Sequence, residues 1–324
     1  MAIKDFQNHE EISETFLLLS KQLKPFRNKS GSYLEVELRD STGSIKGRLW
    51  ENGEDAYHYL SEGKPVEVKG RIQEFMGGLQ LIIDYIETSN CSCGPEDFLP
   101  RLQNYAEIKE EFIDKLETLK ERAEWSSAGE VKILLENIFD NTFLERFCEA
   151  PAAIKYHHPY LGGLMHHTLG VAKNAESMAK NYPEADLVIT LTGAFLHDLG
   201  KLKEYTLSRG VIEQSIEGVL MGHIVLGLKI LQDAVKQIRE RGLEFSEELE
   251  KLLQHIIASH HSEGEWGSPR QPAVLEALLV HQADLLDAEA YKFLECEGEK
   301  GTYSWSSLLK RNLYIKEGNW DLPF

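Results

Sequence analysis

Residues 191–201 read Leu191-Thr-Gly-Ala-Phe-Leu-His-Asp-Leu-Gly-Lys201. A weakly polar, mostly apolar run leads directly into an imidazole and a carboxylate. A polar or charged group on a buried helix face is costly unless something satisfies it. The same combination recurs on both sides of this stretch. Upstream, Leu161 leads through Gly162, Gly163, Leu164 and Met165 to His166 and His167. Downstream come His223, the pair His260-His261, and Asp284 within the apolar run that begins at Leu275. Ten of the twelve histidines fall between residues 157 and 281. Core packing gives no reason for these residue types to recur in apolar frames, whereas coordination of a cation satisfies several of them at once.

Imidazole nitrogens and carboxylates suit borderline divalent metals such as manganese, iron, cobalt or zinc. No cysteine stands near these motifs, so the pattern does not fit a closed structural zinc site. The seven candidate ligands are His167, His197, Asp198, His223, His260, His261 and Asp284. They are too many for one ion and suit two. Two ions roughly 3.5–4 Å apart activate a water and clamp a phosphoryl oxygen, with Asp198 as the natural bridge. Gly200 is placed to end a helix. Lys201 follows it, in reach of a phosphate as a point charge. Asp198 and Lys201 are therefore the expected catalytic residues. Asp287 lies one helical turn beyond Asp284 and is its rival for the last ligand position. His157 and His158 are either phosphate or leaving-group contacts or polar residues of a helix entry. His166, His255 and His281 read as structural, with His281 also placed to orient a ligand.

Around this centre the chain reads as helical from about residue 104 to about 312. Ile108, Phe112, Leu116 and Leu119 share one face, as do Val131, Leu134, Leu135 and Ile138. Before residue 90 the period changes to two. Leu34, Val36 and Leu38 alternate with Tyr33, Glu35 and Glu37. Further short strands are expected over 45–50, 66–72 and 79–86, separated by turn residues, which indicates a small barrel or sandwich. Residues 89–100 break every period and read as a linker. The expected domains are a β barrel at 1–90, a linker at 91–103, a helical domain at 104–315 and a tail at 316–324.

Composition bounds the function. The chain has 324 residues, 42% hydrophobic and 27% charged, enough for two cores. No uninterrupted apolar run is long enough for a membrane span, and the N-terminus lacks the pattern of a signal peptide. The four cysteines form no disulfide-rich framework, which suits a cytoplasmic protein. The net charge of −18 argues against coating nucleic acid by bulk electrostatics. Residues 1–90 alone hold 11 basic against 15 acidic residues.

The ordered set His…His-Asp…Asp resembles the signature of the HD superfamily of metal-dependent phosphohydrolases. Its extra histidine and paired histidines are similar to the two-metal members. The words KYHHPYLGG, GGLMHHTLGVAKNA, LTGAFLHDLGKLKEY, GHIVLGLKIL and ASHHSEGEWGSPRQPAVLEALLVHQADLLDAEAYK closely resemble the YhaM-type 3′→5′ exoribonucleases. That likeness runs from about residue 12 to residue 315. It implies hydrolysis of single-stranded RNA, or DNA, to nucleoside monophosphates with manganese-type cofactors. It assigns the first metal histidine to His167 rather than His166. Residues 33–50, 63–71 and 79–84 resemble an OB-fold, whose members often stack bases on exposed aromatics in a cationic groove. Tyr33, Arg48 and Lys69 are the leading contact candidates, with Trp50, Phe75, Lys29, Arg39, Lys46 and Arg71 nearby. The alternative is a phosphodiesterase or phosphatase for a small, cyclic nucleotide, with the barrel as a regulatory or docking module. Gly267-Ser268-Pro269, where cyclic-dinucleotide hydrolases carry Gly-Tyr-Pro, weighs against that substrate. Homo-oligomerisation stays open.

Overall fold

The computed structural model describes residues 2–26, 30–75, 78–124, 129–154, 157–208, 211–296, 298–306 and 308–317. Two compact units emerge, residues 1–101 with 206–213 and residues 102–205 with 214–324.

The N-terminal unit is built on five strands: β1 (Glu11–Pro25), β2 (Ser32–Asp40), β3 (Gly43–Leu49), β4 (Pro65–Phe75) and β5 (Gly78–Thr88), with helix α1 (Gly53–Tyr59) between β3 and β4. They close in the order β1-β2-β3-β5-β4, with β3 and β5 parallel and the other neighbours antiparallel. Closure removes the exposed strand edges an open sheet would leave. The period of two sends Leu34, Val36 and Leu38 into a core with Phe16, Val66, Ile72 and Leu81. The first strand begins at Glu11, well before the Tyr33 strand where the alternation is clearest. Its run Phe16-Leu17-Leu18 is buried on both faces and so shows no alternation. Cys91 and Cys93 are joined by a disulfide, which closes only a three-residue loop. Within the stretch read as a linker, Phe98 and Leu99 are buried.

The second unit is helical: α2 (Tyr105–Glu124), α3 (Glu130–Ile138), α4 (Asn141–Glu149), α5 (Gly163–Ala179), α6 (Leu187–Leu196), α7 (Lys201–Glu204), α8 (Ile216–Glu240), α9 (Glu247–Ser259) and α10 (Leu275–Leu294). The stripe Phe112, Leu116 and Leu119 is buried as its spacing predicts, with Phe112 packed on Phe147 and Phe195. Asp186, Ser215 and Ser246 cap α6, α8 and α9 by accepting from backbone N–H groups of their first turns. By length and composition α8 could cross a membrane. Here its apolar face, including Leu231, Val235 and Ile238, belongs to the helical core.

Two departures from an all-helical reading stand out. A hairpin, β6 (Tyr205–Ser208) and β7 (Val211–Gln214), interrupts the helices. The helical run also ends at Leu294 rather than near 312, and β8 (Tyr303–Ser306) and β9 (Arg311–Tyr314) form a second hairpin. Four-residue strands are too short to register as a period. The tail residues 318–324 lie outside the described residues, as does Lys29.

Candidate metal centre

The seven expected ligands arrive from five separate places in the helical unit. His167 is on α5, His197 and Asp198 stand in the turn after α6, and His223 is on α8. His260 and His261 close α9, and Asp284 is on α10. Two glycines make this convergence sterically feasible. Gly222 has φ 69° and ψ 162° inside α8, a conformation open to glycine that breaks the helix one residue before His223. Gly200 has φ −66°, so the expected left-handed helix end is not its role. A Cβ there would lie 1.9 Å from the His223 carbonyl oxygen, so Gly200 is required for close approach to α8.

The seven side chains meet. Around the Asp198 carboxylate stand Nε2 of His167 (3.3 Å), His197 (3.3 Å), His223 (3.7 Å) and His260 (3.7 Å). His167 Nε2 is also 3.2 Å from Asp284 Oδ1, and His261 Nε2 is 3.9 Å from Asp284 Oδ2. Asp198, His167, His197 and His260 are almost fully buried.

The far nitrogens explain why the rings point inward. His197 Nδ1 donates to the Ala194 carbonyl at 2.8 Å, and His260 Nδ1 to the Ile257 carbonyl at 2.8 Å. His223 Nδ1 is 2.8 Å from Glu204 Oε2, and His167 Nδ1 is 2.7 Å from Asp287 Oδ2. An acceptor on Nδ1 places the proton there and leaves the Nε2 lone pair for a cation. Asp198 Oδ1, His223 Nε2 and His260 Nε2 are buried without a hydrogen-bond partner. Three such atoms in one place carry a desolvation cost that a divalent ion removes. The donor set therefore fits the metal site read from the sequence.

Charge follows the same geometry. Burial alone would raise the Asp198 pKa, but Lys201 and His197 hold it well below the carboxylate range. Asp284 is also held low, where His167 outweighs the effect of burial. Burial would lower His167, yet its bonds to Asp198, Asp284 and Asp287 raise it well above an ordinary histidine. Lys201 Nζ lies 2.6 Å from Asp198 Oδ2 and is buried, with a raised pKa because the carboxylate overrides desolvation.

The remaining expectations separate. His157 lines a cavity of about 390 Å³ together with His261, His281 and Asp284. Its Nδ1 is buried without a partner, and burial, helped by the Lys201 charge, lowers its pKa to about 3. His158 instead bonds Asp287 Oδ2 at 3.0 Å and the Tyr160 hydroxyl at 2.6 Å. It braces the carboxylate that orients His167. Asp287 therefore stands behind the ring, while Asp284 faces its Nε2. His281 Nδ1 donates to the His260 carbonyl at 2.6 Å, which steadies the end of α9. Glu204 and Tyr160 were not singled out from the sequence. Only the fold brings Glu204, 19 residues before His223, against that ring.

In the barrel unit, Tyr33 and Trp50 pack with ring centroids 4.6 Å apart, and Phe26 lies 6.1 Å from Trp50. The Arg48 guanidinium lies 6.0 Å from the Trp50 ring and 5.3 Å from the Phe75 ring. Glu35 neutralises part of this patch through Lys24 (2.5 Å) and Arg48 (3.4 Å). Lys69 is not part of it and lies over Tyr85, its cross-strand partner.

Comparison with known proteins agrees with both units. The HD domain family matches residues 164–289, and the OB-fold nucleic acid binding domain family matches residues 18–88. A domain of replication protein A from Methanococcus maripaludis is 27% identical over 27% of this chain and 92% of its own, with a TM-score of 0.24. The 3′-5′ exoribonuclease YhaM of Halalkalibacterium halodurans is 31% identical over 86% of this chain and 84% of its own length. That of Listeria monocytogenes is 32% identical over 88% and 87%. With both domains matched and more than four-fifths of each relative covered, this chain belongs to the YhaM family of OB-fold and HD-domain proteins.

Proposed function

We propose that this chain is a metal-dependent 3′→5′ exoribonuclease that shortens single-stranded RNA to nucleoside monophosphates. One observation carries the reading: four imidazole Nε2 atoms surround the buried Asp198 carboxylate, each ring fixed from behind through Nδ1. The chemistry and the polarity follow from the family.

His167, His197, Asp198, His223, His260, His261 and Asp284 would hold two divalent ions. Manganese is the first candidate, with iron, cobalt and zinc behind it, because the donors are nitrogen and oxygen without thiolate. Such ions polarise phosphoryl oxygens and lower the pKa of a bound water. Lys201, anchored on Asp198, supplies a fixed positive charge beside the reacting phosphate. His157 lies on the cavity wall, neutral at physiological pH, and can meet the terminal nucleotide. Tyr33, Trp50 and Arg48 give the barrel a stacking patch for unpaired bases. Single-stranded RNA is the proposed substrate, with single-stranded DNA as the open alternative, and the proposed site of action is the cytoplasm.

A cavity of this size admits one nucleotide, whether the end of a strand or a free small nucleotide. A 5′-labelled oligoribonucleotide incubated with a panel of divalent ions separates the two. A ladder shortened from the 3′ end is expected, strongest with manganese, and Asp198→Ala should lower its rate by about 10²-fold or more. An intact oligonucleotide beside hydrolysed cyclic nucleotide would overturn the reading.

A further inference from the structure

The β8–β9 hairpin of the helical unit carries a surface that the metal site does not explain. Four of the five exposed aromatic side chains among the described residues of this unit lie within residues 293–314. They are Phe293, Tyr303 (76% exposed), Trp305 (62%) and Tyr314 (56%). Tyr303 pairs across the hairpin with Tyr314, their rings 5.9 Å apart, and Trp305 pairs with Asn312. Alternation places Tyr303, Trp305, Asn312 and Tyr314 on one face of the hairpin, while Leu313 and Ser306 on the other face are buried. The aromatic face is thus the outward one, its underside packed against the protein. Two further backbone bonds, Gly301 N–H to Ile315 and Ile315 N–H to Thr302, extend the pairing.

Charge distinguishes the same segment. Residues 300–316 contain Lys300, Lys310, Arg311 and Lys316 and no acid, in a chain whose net charge is −18. Arg311, on the opposite face beside Ser306, has its guanidinium 5.3 Å from the Phe293 ring of α10. The segment is also continuous with the metal centre. Leu308, between β8 and β9, lines the cavity that His157, His261 and Asp284 line, together with Lys292 of α10.

We infer that the β8–β9 hairpin is a stacking platform for single-stranded RNA, seated at the mouth of the cleavage cavity. This rests on the exonuclease reading above and adds a strand contact on the catalytic unit itself. Aromatic faces accept any base, and the cations flanking the hairpin at its turn and base follow the phosphates. That combination suits an enzyme that must grip successive nucleotides without regard to sequence. A protein partner would not require the cationic run in so acidic a chain.

The test uses the full-length protein with fluorescein-labelled oligoadenylate. In an Asp198→Ala background, where binding is read without cleavage, Trp305→Ala should raise the Kd about ten-fold, and Trp305→Phe should restore most of it. In the active enzyme Trp305→Ala should raise KM by a similar factor while kcat at saturating RNA holds. Should Trp305→Ala not fold, Tyr303→Ala, at the most exposed position, carries the same measurement. Unchanged Kd and KM would overturn the platform. So would a fall in kcat at constant KM, or a change in mass by light scattering, which would give the face to a second copy of this chain. RNA that binds in a Trp305-dependent way but is never shortened by the active protein would sink the exonuclease reading and leave the platform standing.

Discussion

His167 is the residue on which the centre turns. Its Nε2 faces Asp198 and Asp284 while its Nδ1 meets Asp287, so three carboxylates share one ring. Burial opposes a charge there, but those bonds prevail and the ring keeps a proton far above the usual pH. A group whose folded pKa is raised stabilises the fold below its unfolded pKa and loses that contribution as pH rises through the folded pKa. A cation taken up through Nε2 must displace the same proton. Metal affinity should therefore rise with pH above the ordinary histidine range, by about ten-fold per pH unit while His167 stays protonated in the free protein, for one proton released. Calorimetric titration with manganese in buffers of different ionisation enthalpy reads both the slope and the proton. A flat profile without release would show that His167 does not ligate.

At the scale of elements, the site depends on where helices stop. The α6 helix ends at Leu196, so His197 and Asp198 enter a turn, and the short α7 then presents Lys201 and Glu204 to the same centre. The α8 helix approaches this turn closely enough that Gly200 cannot carry a side chain, and it breaks at Gly222 to set the direction of His223. Gly222→Ala puts a Cβ in a conformation that costs roughly 1–3 kcal/mol. Nothing lies within 4 Å of that Cβ, so the penalty is backbone strain rather than collision. The expected outcome is a small loss of thermal stability with a larger loss of manganese affinity, measured by melting and by titration. Equal affinity in the variant would mean that the break does not position His223.

For the molecule as a whole, the acidity of −18 is consistent with substrate held by metal ions and a few local cations rather than by a basic surface. Ligands that bind only the folded state raise its stability with their concentration. Manganese at about 100 times its Kd adds about 2.7 kcal/mol, so chelation should lower the melting of the helical unit by roughly 5–10 °C. Differential scanning calorimetry with and without EDTA should show this shift in one transition, with the transition of the barrel unmoved. A shift of the barrel transition instead would place the bound ion in the wrong unit.

The period of two over residues 33–38 and the stripe from Ile108 to Leu119 were enough to determine a barrel followed by helices, because burial writes its period into local sequence. The seven candidate ligands, which the fold brings together, were legible as a set too, since imidazoles and carboxylates inside apolar runs have few other uses. What the sequence left open was everything that depends on a partner distant along the chain. Only the tertiary structure decided that Asp284 faces His167 Nε2 while Asp287 holds its Nδ1, and that His158 braces Asp287. It alone decided that Glu204 orients His223 and that Gly200 serves close approach. Two carboxylates one helical turn apart have the same local pattern, and a four-residue strand is too short to have one. Their roles are set by which atoms the packed helices bring within about 3 Å, which is a property of the whole fold.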